Sequence, residues 1–340
     1  MSDPSRESER RRFLAQALHQ GRPPGFDAGF TVESASVDAS FRSYWRVRNG
    51  GASAILMDAP PQHEDVRPWL DVDRRLLAAG LNAPRPLAVD ADAGFVLMSD
   101  LGARLYLPEL TPDSVDALYA VALDTLVRMQ TRVEVEGLPP YDGRRLLEEM
   151  ELMPAWFLRR HLGFDPDSGD QETIAAAFSG LVEAALEQPC AFVHRDYHSR
   201  NLLVSEGAGP GLLDFQDAVV GPVTYDLVSL LRDCYVAWPE PRVYEWAQAH
   251  RCRLQAAHVT DAGPERFGRW FDLMGLQRHL KVLGIFCRLW YRDGKPGYLQ
   301  DLPLVWHYTR EVGLRHRETR ALVGILERAV AGRDLTAVAA

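Results

Sequence analysis

The stretch "FVHRDYHSRNLLVSEGAGPGLLDFQDAVVGPVTYDLVSLLRD", residues 192–233, decides how this chain is read. It crowds His194, Asp196, His198 and Asn201 into a short polar segment. Two apolar runs follow, Leu202–Val204 and Gly211–Phe215, on either side of a turn rich in Gly and Pro. That pattern is a strong hairpin signal. A hairpin here carries Asn201, entering one strand, back toward Asp214, leaving the other. An amide oxygen and a carboxylate meeting in this way suit magnesium, a hard cation that takes oxygen ligands and leaves positions for substrate phosphates. Asp196, ahead of Asn201, then faces a substrate hydroxyl as base or orienting group, which is the division of labour in phosphoryl transfer. A rival reading takes His194 and His198 as ligands of a transition metal in a metallohydrolase. It needs further ligands, and no other H-x-H or H-x-x-x-H cluster accompanies them.

Working outward, 340 residues fit two lobes or domains of ordinary size. A formal net charge of −9 argues against nonspecific nucleic-acid binding, which rests on Lys and Arg neutralising phosphates. Arginine far outnumbers lysine, which suits local, planar recognition of phosphate or carboxylate, although a GC-rich genome produces the same bias. Cys190, Cys234, Cys252 and Cys287 form no C-x-x-C pair, so neither a zinc site nor a disulfide framework is indicated. The N-terminus "MSDPSRESERRR" lacks the apolar run of a signal peptide, and no segment approaches the ~20 apolar residues that cross a bilayer. A reduced, cytoplasmic protein without a membrane partner is expected, and a monomer.

Residues 6–20 read as a helix, with Phe13, Leu14, Ala17 and Leu18 at helical spacing. "TVESASV", "YWRVR" and "SAILM" then read as strands, with Asn49-Gly50-Gly51 turning between the second and third. A helix with Trp69, Val72, Leu76 and Leu77 on one face ends at Gly80, and two more strands follow in "APRPLAVD" and "GFVLMSDLG". Helices are expected near 112–132, 143–161, 170–187, 222–236, 240–256, 264–291 and 310–331. The fold class is therefore α+β and bilobal: a strand-rich lobe over 1–102 that binds nucleotide, and a helical lobe over 103–340 that carries catalysis and substrate binding.

The ordered set His194, Asp196, Asn201 and, at hairpin distance, Asp214 resembles the H-x-D-x-x-x-x-N loop and magnesium aspartate of the protein-kinase-like superfamily. With its second histidine, "HRDYHSRN" is similar to the aminoglycoside and choline phosphotransferase family, whose magnesium motif D-x-D appears here extended as Asp214-Phe-Gln-Asp217. The resemblance implies ATP and Mg2+ as cofactors, Asp196 as catalytic base, Asn201 and Asp214 as metal ligands, and His198 and Asp217 near the acceptor. It also implies that His194 braces the loop and that Asp226, in the Tyr-Asp-Leu opening the next helix, supports it.

In the small lobe "ASFRSYWRV" occupies the place where these kinases cover the nucleotide phosphates. It has no G-x-G-x-x-G; Ser40, Arg42 and Ser43 supply hydroxyls and a guanidinium instead. The family's usual third-strand lysine is replaced by Met57, and no lysine lies in the first half of the chain. Either Arg42 or Arg46 takes over at the phosphates, or the chain is a nucleotide-binding pseudokinase. "VLMSDLG" resembles the adenine hinge, with Met98 and Asp100 among the nucleotide contacts.

Within the family, "SFRSYWRV", "LMDAPP", "HRDYHSRNLL" and "MGLQRHLKVLGIFCRL" are similar to bacterial kinases of cell-wall recycling. That similarity implies an amino-sugar acceptor, N-acetylmuramate or N-acetylglucosamine, phosphorylated at its anomeric hydroxyl to a sugar 1-phosphate for peptidoglycan recycling. An aminoglycoside or choline acceptor is the alternative. Arg278 and Arg288, with His279 and Lys281, are candidates to meet a substrate carboxylate, and Trp290 or Tyr291 to stack on the sugar. The bland account of that segment is an amphipathic helix with a solvated basic face.

Overall fold

The computed structural model describes residues 4–20, 29–37, 41–206, 209–295 and 297–338. The chain divides into two compact units, residues 1–122 with 201–217 and residues 123–200 with 218–340.

The first unit holds helix α1 (Pro4–His19), strands β1 (Thr31–Val37), β2 (Ser43–Asn49) and β3 (Ala52–Asp58), helix α2 (Arg67–Ala78), strands β4 (Pro86–Asp90) and β5 (Phe95–Ser99), the one-turn helix α3 (Tyr106–Glu109) and the start of α4 (Val115–Arg132). Its five strands form an antiparallel sheet in the order β1-β2-β3-β5-β4. Alternation assigns the faces. Val47, Ala54, Leu56, Phe95 and Leu97 point one way and close over Leu14 and Ala17 of α1. Arg6 and Arg10 lay their guanidinium groups on Phe95 and Trp45, 3.9 and 3.7 Å from the ring centres. Arg6 also pairs with the buried Asp58 at 2.7 Å. The turn before β5 tolerates only glycine: Gly94 has φ of 73°, and a Cβ there would meet the Ala59 carbonyl oxygen at 1.9 Å.

On α2 the apolar stripe Trp69, Val72 and Leu76 is buried as its spacing predicts, and Pro68 sits in the first turn, where its missing N–H costs nothing. Asp73 is buried with them at 1 % exposure, and neither carboxylate oxygen has a hydrogen-bond partner among the described residues. Burial pushes its carboxyl up to about 7. A raised carboxyl binds its proton more tightly in the folded state, so the penalty for ionising it grows as pH climbs from about 4 to 7 and is complete above that. Asp73→Asn, which mimics the protonated acid, is expected to stabilise the protein by on the order of 2–4 kcal/mol at pH 8, with the gap closing toward pH 4. Thermal unfolding of the two proteins across that range checks it; a gap that does not change with pH would mean that burial does not raise the Asp73 carboxyl above its unfolded value.

The second unit completes α4 and adds α5 (Gly143–Met150), a π-helix (Met153–His161), α6 (Ser168–Leu186), the strand pair β6 (Cys190–Val193) and β9 (Val219–Pro222), α7 (Tyr225–Leu231), α8 (Glu240–Ala256), α9 (Pro264–Tyr291), a 3-10 turn (Tyr298–Asp301), α10 (Leu302–Gly313) and α11 (Arg320–Val330). The hairpin β7 (Leu202–Leu203) and β8 (Gly211–Leu212) belongs to the first unit.

The expected helix 143–161 is broken: α5 ends at Met150, and the chain restarts as a π-helix with Pro154 in its first turn. Proline's missing N–H and the contact at Leu152 account for the break, since a Cβ on Gly284 of α9 would lie 2.3 Å from the Leu152 carbonyl carbon. The helix expected over 310–331 is likewise two, α10 and α11. Between them the Thr319 hydroxyl donates to the carbonyls of Gly313 at 2.7 Å and His316 at 3.1 Å, satisfying groups the interruption leaves open.

α9 corrects the picture of a solvated basic helix. Trp270 to Gly284 are all buried, and the helix is the axis of a core shared with the π-helix, α6, α10 and α11. Several of its polar residues are paired, as the cost of burying an unmade hydrogen bond requires. Asp272 accepts from Arg232 at 2.7 Å, Tyr244 at 2.5 Å and His316 at 2.9 Å. Burial alone would raise the Asp272 carboxyl, but these donors and the Arg232 charge bring it down to about 2. Among the described residues no helix is long and apolar enough to cross a membrane.

Candidate active site

The polar segment after β6 is held in the second unit from below. Asp226, fully buried in the first turn of α7, accepts the backbone N–H of His194 at 2.7 Å and of Arg195 at 3.0 Å. Arg195 adopts φ of 78°, a left-handed conformation that costs a non-glycine residue on the order of 1–3 kcal/mol. The two hydrogen bonds onto Asp226 hold the chain in it. His194 is buried; its Nδ1 accepts the Asp196 N–H at 3.3 Å, and its ring edge meets Tyr197. Ser199 closes the turn by donating its N–H and hydroxyl to Asp233 at 2.9 and 2.5 Å.

Asp196 stands among cations. Burial pushes its carboxyl up, yet Lys281 first, then His198 when it is protonated, then Arg195 and Arg278 bring it below its ordinary value. Lys281 donates to the Tyr225 hydroxyl at 3.1 Å and pairs with Glu149 at 3.2 Å. Glu149, on α5, also accepts from Arg195 Nη2 and the Tyr141 hydroxyl. Arg278 is 4 % exposed and donates to the Cys234 sulfur at 3.2 Å. His198 is buried, its ring edge against Tyr235, and burial lowers its imidazole toward the neutral form. Its Nδ1 has no hydrogen-bond partner among the described residues.

Three residues of the predicted acceptor set lie differently. Arg288 is half-buried with its Nε buried and unpartnered among the described residues, and burial lowers its guanidinium. Tyr291 bonds His161 at 3.0 Å and lies under Arg160, part of the packing around the π-helix rather than a free face. Asp217 is exposed.

In the first unit the hairpin does what its sequence predicts. The Leu213 N–H bonds the Asn201 carbonyl at 3.1 Å, and the Asn201 side-chain Nδ2 donates to Asp214 Oδ2 at 3.5 Å. Asp214 has φ of 61°, accepts from Gln216 at 2.7 Å and has Arg42 Nη2 at 3.7 Å. Phe215 is buried against Trp69 of α2, ring centres 5.2 Å apart. One carboxylate and one side-chain amide oxygen are a hard donor pair that fits magnesium, which keeps water and phosphate in its other positions. Among the described residues no three His, Cys, Asp or Glu side chains gather as a cage, so the histidine-ligated metal has no support there.

The open choice between Arg42 and Arg46 now has a geometric basis. Arg46 grips Asp100 with Nε at 2.7 Å and Nη2 at 3.2 Å and also bonds the Gly102 carbonyl at 3.1 Å. Asp100 in turn accepts the Gly102 N–H at 2.9 Å, and despite burial the Arg46 hydrogen bonds hold its carboxyl below its ordinary value. That pair braces the segment after β5, so the Asp100 side chain is committed to Arg46. Met57 and Met98 are buried in β3 and β5, on the face opposite α1. Ser43 opens β2 and accepts from the Trp45 indole at 3.1 Å. Ser40 lies outside the described residues. Arg42→Ala is expected to raise the KM for Mg-ATP by about tenfold or more, since a charge-assisted phosphate contact is worth about 1.5–3 kcal/mol. Met57→Ala should leave that KM nearly unchanged. Steady-state kinetics decide; equal small effects would remove Arg42 from the phosphate site.

A carboxylate held ionised on a braced loop and an Asn–Asp pair on the following hairpin are features expected of one class of protein, and the chain belongs to it: the family model described as "Phosphotransferase enzyme family" matches residues 31–274. It is 47% identical over 296 residues to the N-acetylmuramate/N-acetylglucosamine kinase of Pseudomonas aeruginosa, covering 86% of each chain. The enzyme of the same name from Pseudomonas putida is 43% identical over 303 residues, 89% of each chain. Among solved structures, an ADP-bound aminoglycoside phosphotransferase superposes with a TM-score of 0.56 at 16% identity, over 88% of this chain and 98% of that one. A choline/ethanolamine kinase family protein from Mesorhizobium loti gives 0.57 at 13%, over 92% and 98%. At such identities the likeness is one of fold, and the α+β kinase-like fold is the one expected.

Proposed function

We propose that the protein is an ATP-dependent sugar kinase that phosphorylates the anomeric hydroxyl of N-acetylmuramate and N-acetylglucosamine to sugar 1-phosphates for peptidoglycan recycling. The observation that carries the substrate is the similarity to kinases of that name over 86% of both chains, beyond the catalytic loop and through α9. The cation-ringed Asp196 supports the chemistry. An anomeric hydroxyl is more acidic than an ordinary alcohol, so a carboxylate suffices to orient it and take its proton. The sugar oxygen forms a bond to the γ-phosphorus, the bond from that phosphorus to the β–γ bridging oxygen breaks, and ADP leaves with the electron pair. Asn201 and Asp214 would hold magnesium, which when bound neutralises charge on the phosphates. Arg42 meets the same phosphates from the loop before β2, and His198 and the α9 cations border the acceptor. Dependence on ATP and on recycled sugars places the work in the cytoplasm, with no further protein partner required.

The burial of Arg278 sharpens the choice of carboxylate reader. An arginine spent on Cys234 and Asp196 affects every acceptor, whereas one that reads the lactyl carboxylate affects N-acetylmuramate alone. The test is a panel of N-acetylmuramate, N-acetylglucosamine, glucose, choline, homoserine and kanamycin with Mg-ATP, new phosphate located by phosphorus NMR. Both N-acetylated sugars are expected to be phosphorylated at C1. Arg278→Ala is expected to reduce both alike, by about tenfold or more, because it loosens the surroundings of Asp196. Phosphorylation of choline or kanamycin with neither sugar would overturn the substrate and leave the kinase chemistry standing.

A further inference from the structure

We propose that Glu149, on α5, is a positioning residue for Asp196: it clamps the side chain of Arg195 so that the loop keeps the left-handed turn that aims the neighbouring carboxylate. The proposal rests on the reading of Asp196 as the group that takes the acceptor's proton.

Arg195 is one of three non-glycine residues with positive φ among the described residues. A turn of this kind relaxes unless it is held, and it is held at both ends. Asp226 fixes the backbone by taking the N–H groups of His194 and Arg195. The side chain runs the other way, into the interior, and ends on Glu149, both side chains being 12% exposed. Releasing either end would let Arg195 return to an ordinary conformation, and Asp196, the next residue, would turn with it.

Glu149 suits a clamp because it cannot leave. It takes the Tyr141 hydroxyl and Lys281 Nζ along with Arg195, so any rotation would cost two cations their carboxylate partner at once. Lys281 has a second acceptor in the Tyr225 hydroxyl, at 3.1 Å, and stays in place without the arginine. Lys281 and Tyr141 thus fix the carboxylate, and the carboxylate fixes Arg195. Tyr141 enters this arrangement from a segment registered against the sheet, its N–H donating to the Val220 carbonyl of β9 at 2.8 Å. The strand pair that launches the loop and the clamp that ends it therefore share one framework.

The full chain is tested with Mg-ATP and the acceptor that the panel selects. Glu149→Gln is expected to lower kcat about 30-fold while KM for both substrates stays within about twofold, the signature of lost alignment rather than lost binding. Glu149→Asp should recover part of the loss. Arg195→Met cuts the same link from the other end, leaves Glu149 paired with Lys281 and Tyr141, and should show the same fall. The double variant should be no worse than either single one, because both remove one interaction. Should Glu149→Gln fail to fold, Arg195→Met decides alone. Asp196→Asn is run beside them. If it abolishes turnover while Arg195→Met keeps kcat within threefold of the parent, the clamp is overturned; additive losses in the double variant overturn it too. If Asp196→Asn itself turns over normally, it is the reading of Asp196 that falls.

Discussion

Asp196→Asn is expected to lower kcat by roughly a hundredfold or more while Mg-ATP binding stays close to that of the parent. Asparagine keeps the size and one oxygen but removes the charge and the basic site, so it takes away proton acceptance and little else. The charges around Asp196 also set its pH behaviour. They keep the carboxyl below its ordinary value against the push of burial, so the base is fully ionised at neutral pH. Loss of activity through its protonation belongs below the usual carboxylate range, not between about pH 5 and 7. Lys281→Met removes the first of those charges and should move the acid limb of kcat/KM to higher pH. An unmoved limb would mean that the titrating group is elsewhere, and near-normal turnover in Asp196→Asn would end the assignment of the base.

Asp214→Ala is expected to abolish productive use of Mg-ATP, the other large effect. Its carboxylate is the one charged oxygen ligand of the proposed pair; Asn201 contributes only a neutral amide oxygen, and alone it cannot offset the dehydration that magnesium resists. The substitution also takes a partner from Arg42 and from Gln216, both directed at Asp214, and alanine is strained at φ of 61°. Asp214→Asn separates the causes, because asparagine tolerates that backbone. Turnover lost equally in both variants, with unchanged thermal stability in Asp214→Asn, identifies charge as the reason. Activity retained in Asp214→Asn at raised magnesium would point to strain instead.

What the sequence determined by itself was local in origin. The five strands follow from period-two alternation and from Gly50 and Gly94 at turns that need positive φ. The approach of Asn201 to Asp214 follows from a short hairpin, and the support from Asp226 was legible only through the resemblance of its Tyr-Asp-Leu to the kinase-like superfamily, not through spacing. The residues around the loop were a different matter. Glu149 lies 46 positions from Arg195, and nothing in "RRLLEEM" distinguishes it from Glu148, which is exposed. Only the packing of α5 against α9 turns one of the two inward to Lys281. The same packing converted Arg278 and Lys281 from an apparent solvated face into buried partners of other groups, since a helix covered on all sides leaves no face to water. Asp73 shares its spacing with any surface acid on an amphipathic helix; its burial, without a hydrogen-bond partner among the described residues, is a product of tertiary packing. Arg42 and Arg46 are equivalent in sequence, and strand register alone sends Arg46 to Asp100 and leaves Arg42 beside Asp214. Periodicity and short spacings record which backbone a segment adopts, whereas the pairing of charges is settled by which distant side chains burial brings within reach.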